Sequence, residues 1–214
     1  MPDARPASEL VAVRLADYAP PDWLVPQVSL DIRLDAVRTV VRARLVVERN
    51  GQHDRPLVLD GQGLETEAIM VDGKGCAAWP NGDVLKLEIS GNRAVVETQV
   101  VIHPQRNTRL MGLYASEGRL VTQCEAEGFR KITYYPDRPD VMARFKVRIE
   151  GDLPVLLSNG NPKGKGRGWA EWEDPWPKPA YLFALVAGDL RARSGVFRTF
   201  SGRKVKLNIW VRPG

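Results

Sequence analysis

The sequence predicts an all-β chain: a large, mostly antiparallel β-sandwich or saddle-like domain with one short helical segment near 138–144. Three observations carry that prediction. Apolar and polar residues alternate without a fault in Val28-Ser29-Leu30-Asp31-Ile32-Arg33-Leu34-Asp35, which is the period of a strand with one buried face. Asn50-Gly51, Asp60-Gly61, Asp72-Gly73 and Asn81-Gly82 recur at intervals of roughly ten residues, and Asx-Gly pairs are turn formers between short strands. Between these turns there is no apolar spacing that a packed helix needs.

The elements follow in order. Residues 1–27 carry five prolines and little periodicity; proline fixes φ and removes donors, so this reads as an extended arm packed on the domain. Residues 28–214 read as a single β domain. After the first strand, Val41, Ala43, Leu45 and Val47 alternate with polar neighbours up to the Asn50-Gly51 turn. Leu57-Val58-Leu59, Leu64 to Val71, Leu85 to Ile89 and Ala94 to Ile102 are further strands, and His103-Pro104 stops the last of these. Asp137-Arg138-Pro139-Asp140 reads as a helix start, with Asp137 as N-cap and Pro139 in the first turn. Phe145-Lys146-Val147-Arg148-Ile149-Glu150 returns to alternation, and Val155 to Ser158 ends at Asn159-Gly160-Asn161. Lys163, Lys165 and Arg167 sit among alternate glycines, a hairpin tip. Tyr181 to Gly188 is a continuous apolar run, expected as a strand buried on both faces. Val196 to Phe200 and Val205 to Val211, joined through Ser201-Gly202, form a closing hairpin. The chain shows no repeats and no linker.

Composition excludes several classes of function. The chain has 214 residues, 43% hydrophobic and 27% charged, the profile of an ordinary globular protein. No run approaches the roughly 20 apolar residues of a membrane helix, and the start lacks a signal-peptide core. A cytoplasmic protein with no membrane contact is expected. Two cysteines 48 positions apart, Cys76 and Cys124, and two isolated histidines, His53 and His103, supply neither a disulfide framework nor a metal site. Of the net charge of +5, three units come from the glycine-rich tip, which has no P-loop signature; a solvated loop is expected there, and no nucleic-acid contact.

Thr122-Gln123-Cys124-Glu125-Ala126-Glu127-Gly128-Phe129-Arg130, continuing through Tyr134-Tyr135-Pro136-Asp137-Arg138-Pro139-Asp140, breaks the strand pattern. Carboxylates, an amide, a thiol and arginines crowd into a loop-like run, the setting in which binding groups concentrate. Read from the residues alone, Glu125 and Glu127 either pair with Arg130 or Arg138 on the surface or serve a ligand.

Gln-x-Glu-Ala followed by Gly-Phe-Arg, two aromatics and Asp-Arg-Pro-Asp also resembles the N-terminal domain of zinc aminopeptidases, the bacterial aminopeptidase N family. Tyr18-Ala19-Pro20-Pro21-Asp22, Asn107-Thr108, Gly112-Leu113-Tyr114, Leu157-Ser158-Asn159-Gly160-Asn161 and Pro177-Lys178-Pro179 ahead of Tyr181 to Asp189 extend the resemblance over nearly the whole chain, in the family's order. Most relatives read Asp-Glu-Pro where this chain has Asp137-Arg138-Pro139; the arginine resembles the bacterial branch.

The resemblance implies a non-catalytic β domain that packs against a thermolysin-like catalytic domain. In that family zinc is held by HExxH and a distant Glu, and it activates water against the first peptide bond. Neither HExxH nor Gly-Ala-Met-Glu-Asn is present, so the resemblance implies a truncated piece of the enzyme, inactive alone, with zinc bound only in the full-length protein. Peptide substrates with a free N-terminus are implied as partners. Carried over by motif, Glu125 holds the substrate α-ammonium and Gln123 lines the first-residue pocket. Glu127 is expected to pair with Arg130 or Lys131, Cys124 to be buried and inert, and Tyr134, Tyr135, Trp169, Trp172 and Trp176 to be core or interdomain contacts. The competing reading is a free-standing β-sandwich that binds a peptide, sugar or protein. It predicts a hydrophilic surface apart from one patch; the domain reading predicts a sizeable exposed face left for another domain.

Overall fold

A computed structural model of the chain describes residues 14–213. Its strands are β1 (Trp23–Arg33), β2 (Thr39–Arg49), β3 (Leu57–Asp60), β4 (Glu65–Val71), β5 (Lys74–Gly75), β6 (Val84–Leu87), β7 (Arg93–Ile102) and β8 (Gly112–Ser116). These are followed by β9 (Arg119–Gln123), β10 (Met142–Glu150), β11 (Val155–Ser158), β12 (Asn161–Gly166), β13 (Trp169–Pro179), β14 (Leu185–Gly188), β15 (Arg191–Arg198) and β16 (Lys204–Val211). Helical structure among the described residues is confined to four three-residue 3-10 turns. The all-β reading holds.

One large sheet, ordered β12-β13-β10-β1-β2-β7-β4-β5, forms the back of the molecule. A four-stranded sheet, β11-β14-β9-β8, and the pair β3-β6 cover its inner face. Among the described residues all strand pairings are antiparallel but one: β1 runs parallel to β10, with Leu30 beside Val147 and Ile32 beside Ile149. Alternation dictates which side is buried. Val28, Leu30 and Ile32 of β1, Val41, Ala43 and Leu45 of β2, and Ala143, Phe145 and Val147 of β10 face inward. They pack in one cluster with Leu57, Leu59, Leu85 and Leu87 of β3-β6 and with Leu120, Leu185 and Ala187 of the smaller sheet. At about 25 cal/mol per Å² of apolar surface, this burial is the main force holding the layers together.

The opposite face of the large sheet is charged. Arg42 Nε donates to Gln99 Oε1 at 2.6 Å and Arg148 Nη1 to Glu171 Oε1 at 2.6 Å, both across neighbouring strands. Such exposed cross-strand pairs contribute little stability.

Four expectations are corrected. Strand β1 begins at Trp23, inside the segment read as an arm, because Pro26 falls at a register shift between Leu24 and Gln27; a bulge spares the ladder the donor that proline lacks. Within residues 14–22, Tyr18 Oη donates to Asp140 Oδ2 at 3.1 Å and Arg138 Nη2 to the Ala19 carbonyl at 2.8 Å, while Leu15 is exposed. The rest of the proposed arm, 1–13, lies outside the described residues.

The helical segment near 138–144 is absent. Asp137, the expected cap, is buried against Arg130, and from Met142 onward the alternation of β10 continues to Ala143 and Arg144, so sheet pairing overrides the helix start. The apolar run 181–188 is not one doubly buried strand either. Ala180–Leu182 is a 3-10 turn that leaves Leu182 exposed, and only Leu185–Gly188 joins a sheet. The fourth correction is β8 and β9, two strands absent from the sequence reading.

The closing hairpin β15-β16 forms its own two-stranded sheet. Its register places Phe197, Val205, Leu207, Ile209 and Val211 on one side, and Phe197, Leu207, Ile209 and Val211 are exposed.

Candidate functional site

Strand β9 carries the chain to Gln123, whose register partner is Gly112 of β8. There the strand ends in a tight turn: the Gly128 amide donates to the Cys124 carbonyl at 2.7 Å, and the Lys131 amide to the Gly128 carbonyl at 3.1 Å. Two glycines allow this. Gly112 has φ +76°, a left-handed conformation that favours glycine, and a β-carbon there would stand 2.7 Å from Lys131 Cβ. Phe129 then drops into the core, edge-on to Tyr135, Phe145 and Phe183 at centroid distances of 5.2, 5.8 and 5.3 Å. Buried aromatic packing at Phe129 anchors the turn on its C-terminal side.

On this platform Gln123 and Glu125 are both exposed, and Gln123 Nε2 donates to the Glu125 carbonyl at 3.1 Å. The structure therefore brings the two predicted residues together on one turn. Among the described residues no Lys, Arg or His nitrogen pairs with the Glu125 carboxylate. Glu127 behaves as expected, its Oε2 lying 3.5 Å from Arg130 Nη2. Cys124 between them is buried, and burial with the nearby Asp137 charge pushes its thiol up to about 12. A thiol so rarely ionised is neither nucleophile nor ligand.

Sequence reasoning missed the support beneath. Arg130 Nε donates to Asp137 Oδ2 at 3.1 Å, and the Arg130 backbone amide donates to the same oxygen at 3.1 Å. Arg130 Nη2 lies 3.9 Å from Asp60 Oδ2, which in turn accepts the Asp137 amide at 3.1 Å. Burial pushes the Asp137 carboxyl up, more than its bonds to Arg130 hold it down. Burial opposes the Arg130 charge too, but the hydrogen bond to Asp137 and the charges of Asp60, Asp137 and Glu127 outweigh it and raise the guanidinium. Nothing in the sequence links Asp60, 70 positions upstream, to this group.

Tyr134 and Tyr135 are buried in the core, as expected, whereas Trp169 and Trp172 are half-buried and Trp176 is 76% exposed. The glycine-rich tip is the β12-β13 hairpin, with Lys163 Nζ 3.2 Å from Glu173. His103 is held by the Val37 carbonyl and Glu65. Among the described residues no three of His, Cys, Asp and Glu converge in a way that would hold a metal ion.

Residues 27–182 match the family described as the peptidase M1 N-terminal domain. The chain belongs to the peptidase M1 family. It corresponds to the N-terminal domain of M1 aminopeptidases of the bacterial aminopeptidase N type. The chain is 51% identical to aminopeptidase N of Caulobacter vibrioides over 213 residues, covering 95% of this chain and 25% of that protein. Against aminopeptidase N of Escherichia coli it is 44% identical, covering 92% and 24%. Among solved M1 structures, Legionella pneumophila aminopeptidase A in complex with aspartic acid superposes with a TM-score of 0.85 at 34% identity, over 94% of this chain and 25% of that one. An M1 zinc metallopeptidase from Deinococcus radiodurans shares the fold at 18% identity and a TM-score of 0.73, over 90% and 48%. The chain thus spans about a quarter of the aminopeptidase N relatives it matches. No helix among the described residues is long and apolar enough to cross a membrane.

Proposed function

We propose that this domain is the non-catalytic, end-recognising part of a cytoplasmic zinc aminopeptidase, with Glu125 holding the α-ammonium of a peptide and Gln123 lining the pocket for its first side chain. The observation that carries the reading is the contrast between two neighbouring carboxylates. Arg130 engages Glu127, while Glu125 stands exposed on a braced turn with no cation beside it among the described residues. A free carboxylate on a rigid platform suits a ligand that brings its own positive charge.

The chemistry is positional. An enzyme that removes one terminal residue must measure from the chain end, and a fixed carboxylate facing the ammonium sets that distance. Gln123, whose amide is held by the Glu125 carbonyl, presents a polar edge beside it. The water-activating zinc of the family's chemistry belongs to the catalytic domain; the residues present here bind and orient substrate, and the isolated domain is inactive. The exposed apolar side of β15-β16 is the kind of face that the domain reading requires, and a thermolysin-like domain of the same protein is its occupant in this proposal.

The test is Glu125→Ala in the intact parent enzyme, assayed on a dipeptide with a free amine and checked for zinc content. A charge-assisted hydrogen bond in a partly desolvated site is worth about 1.5–3 kcal/mol, so kcat/KM should fall roughly 10- to 100-fold. An unchanged kcat/KM with zinc retained would overturn the assignment.

A further inference from the structure

The group beneath the turn ties three separate parts of the chain to one guanidinium. Arg130 reaches Asp137 through Nε and through its own backbone amide, and its Nη2 donates to the Asp137 carbonyl at 3.1 Å. Asp60 approaches Nη2 and accepts the Asp137 amide. The Arg130 carbonyl accepts the Gln62 amide at 2.8 Å, and the Asp60 and Tyr135 backbones exchange hydrogen bonds at 2.8 and 3.1 Å. The Asp137 side chain is 3% exposed and that of Arg130 22%. A partly buried forked donor with this many fixed acceptors has little freedom to shift. Toward solvent, the same Nη2 reaches Glu127, the last acidic residue before Gly128 closes the turn.

We propose that Arg130 is a positioning residue for substrate binding, fixing the turn that presents Glu125 and withdrawing Glu127 from competition for the ammonium. This rests on the reading of Glu125 given above. Two carboxylates two residues apart would otherwise offer a cation two registers, and an enzyme that measures from the chain end needs one. Pairing Glu127 to Arg130 leaves a single unpaired carboxylate on the platform. Arg130 acts through Glu125 and Glu127 and does not itself meet the substrate.

The experiment is a double-mutant cycle in the intact parent enzyme. It compares wild type, Glu125→Ala, Arg130→Met and the double variant, with kcat and KM on a free-amine dipeptide and with zinc content and thermal melting recorded. Arg130→Met should lower kcat/KM about 10-fold, chiefly through KM, and should cost almost nothing further once Glu125→Ala is present. An equal fold loss in both backgrounds, or no loss in a folded Arg130→Met protein, overturns the proposal. No effect of Glu125→Ala itself overturns the underlying reading instead.

Removing Arg130 leaves Asp137 buried without its cation, so Arg130→Lys serves if the methionine variant does not fold. Lysine keeps the charge but not the fork, and KM should rise several-fold. Adding Glu127→Gln to Arg130→Lys should then recover part of that loss by removing the competing carboxylate. A purely structural arginine gives no such rescue, and its absence would count against the proposal.

Discussion

The carbonyl oxygen of Gln123 lies 2.5 Å from the point where a β-carbon on Gly128 would stand. The backbone of Cys124 is scarcely farther, at 2.9 Å. Gly128 has φ −90°, a conformation any residue adopts, so its requirement is one of space. Gly128→Ala should therefore cost about 1–3 kcal/mol, as overpacked sites do. Urea unfolding checks this, with Gly195→Ala as the control, since a β-carbon there meets nothing within 4 Å. Equal stabilities of the two variants would show that the turn yields.

Phe129 meets three aromatic rings edge-on or nearly so. Truncating it to alanine removes those contacts and opens a cavity between the central turn and β10, at an expected cost of about 3–5 kcal/mol. For a domain of this size the melting temperature should drop by roughly 2–4 °C per kcal/mol. A loss below 1 kcal/mol would mean that the core refills the space.

Lys178 gives a pH-dependent prediction. Its Nζ is buried, lies 3.0 Å from Asp174 Oδ2 off the direction of a hydrogen bond, and sits 3.9 Å from the centroid of the Phe145 ring. Burial lowers its pKa below 10.5 by more than Asp174 raises it. The unfolded chain keeps that proton up to about 10.5, so between the folded value and 10.5 the unfolded state binds more protons. Stability from this group then rises with pH over that window. Melting temperatures from neutral to alkaline pH should show the rise relative to Lys178→Met; parallel curves for the two proteins would refute it.

The β15-β16 hairpin should be dispensable for the rest of the fold. Its apolar side is exposed, and its ion pairs to the body among the described residues, Arg212 to Glu117 and Arg191 to Asp189, join side chains that are all exposed. A chain shortened after Leu190 should melt within a few degrees of the full chain, since exposed ion pairs add about 0–1 kcal/mol. A fall of ten degrees or more would show that the hairpin is integral to the domain.

Much of the architecture was legible because its strands are half-buried, and half-burial writes itself as alternation. The strands β1, β2, β7 and β10 are of this kind. β8 and β9 were not legible: they are short, with Tyr114, Ala115 and Val121 only half-buried, and two-residue turn chemistry at Glu117-Gly118 was overlooked between them. Asp137 misled because an acid before Arg-Pro-Asp looks like a cap, whereas its carboxylate is committed to Arg130 seven residues back. The parallel pairing of β1 and β10 left no local mark, because alternation reports which side is buried and not which strand lies alongside. Gln123 and Glu125 were found through a motif; Asp60, which supports them from another strand, has no motif to announce it.

That parallel pairing has a consequence for the protein as it is made. Strand β1 can close with β2 as soon as both leave the ribosome, but its other edge waits for β10, roughly 120 residues later. At about 5–20 residues per second, that edge stays open for on the order of 6–24 s. During synthesis the nascent sheet therefore exposes an unpaired strand carrying Val28, Leu30 and Ile32. The interval when this domain is most open to capture by a chaperone, or by a neighbouring nascent copy, ends when Met142–Glu150 emerges.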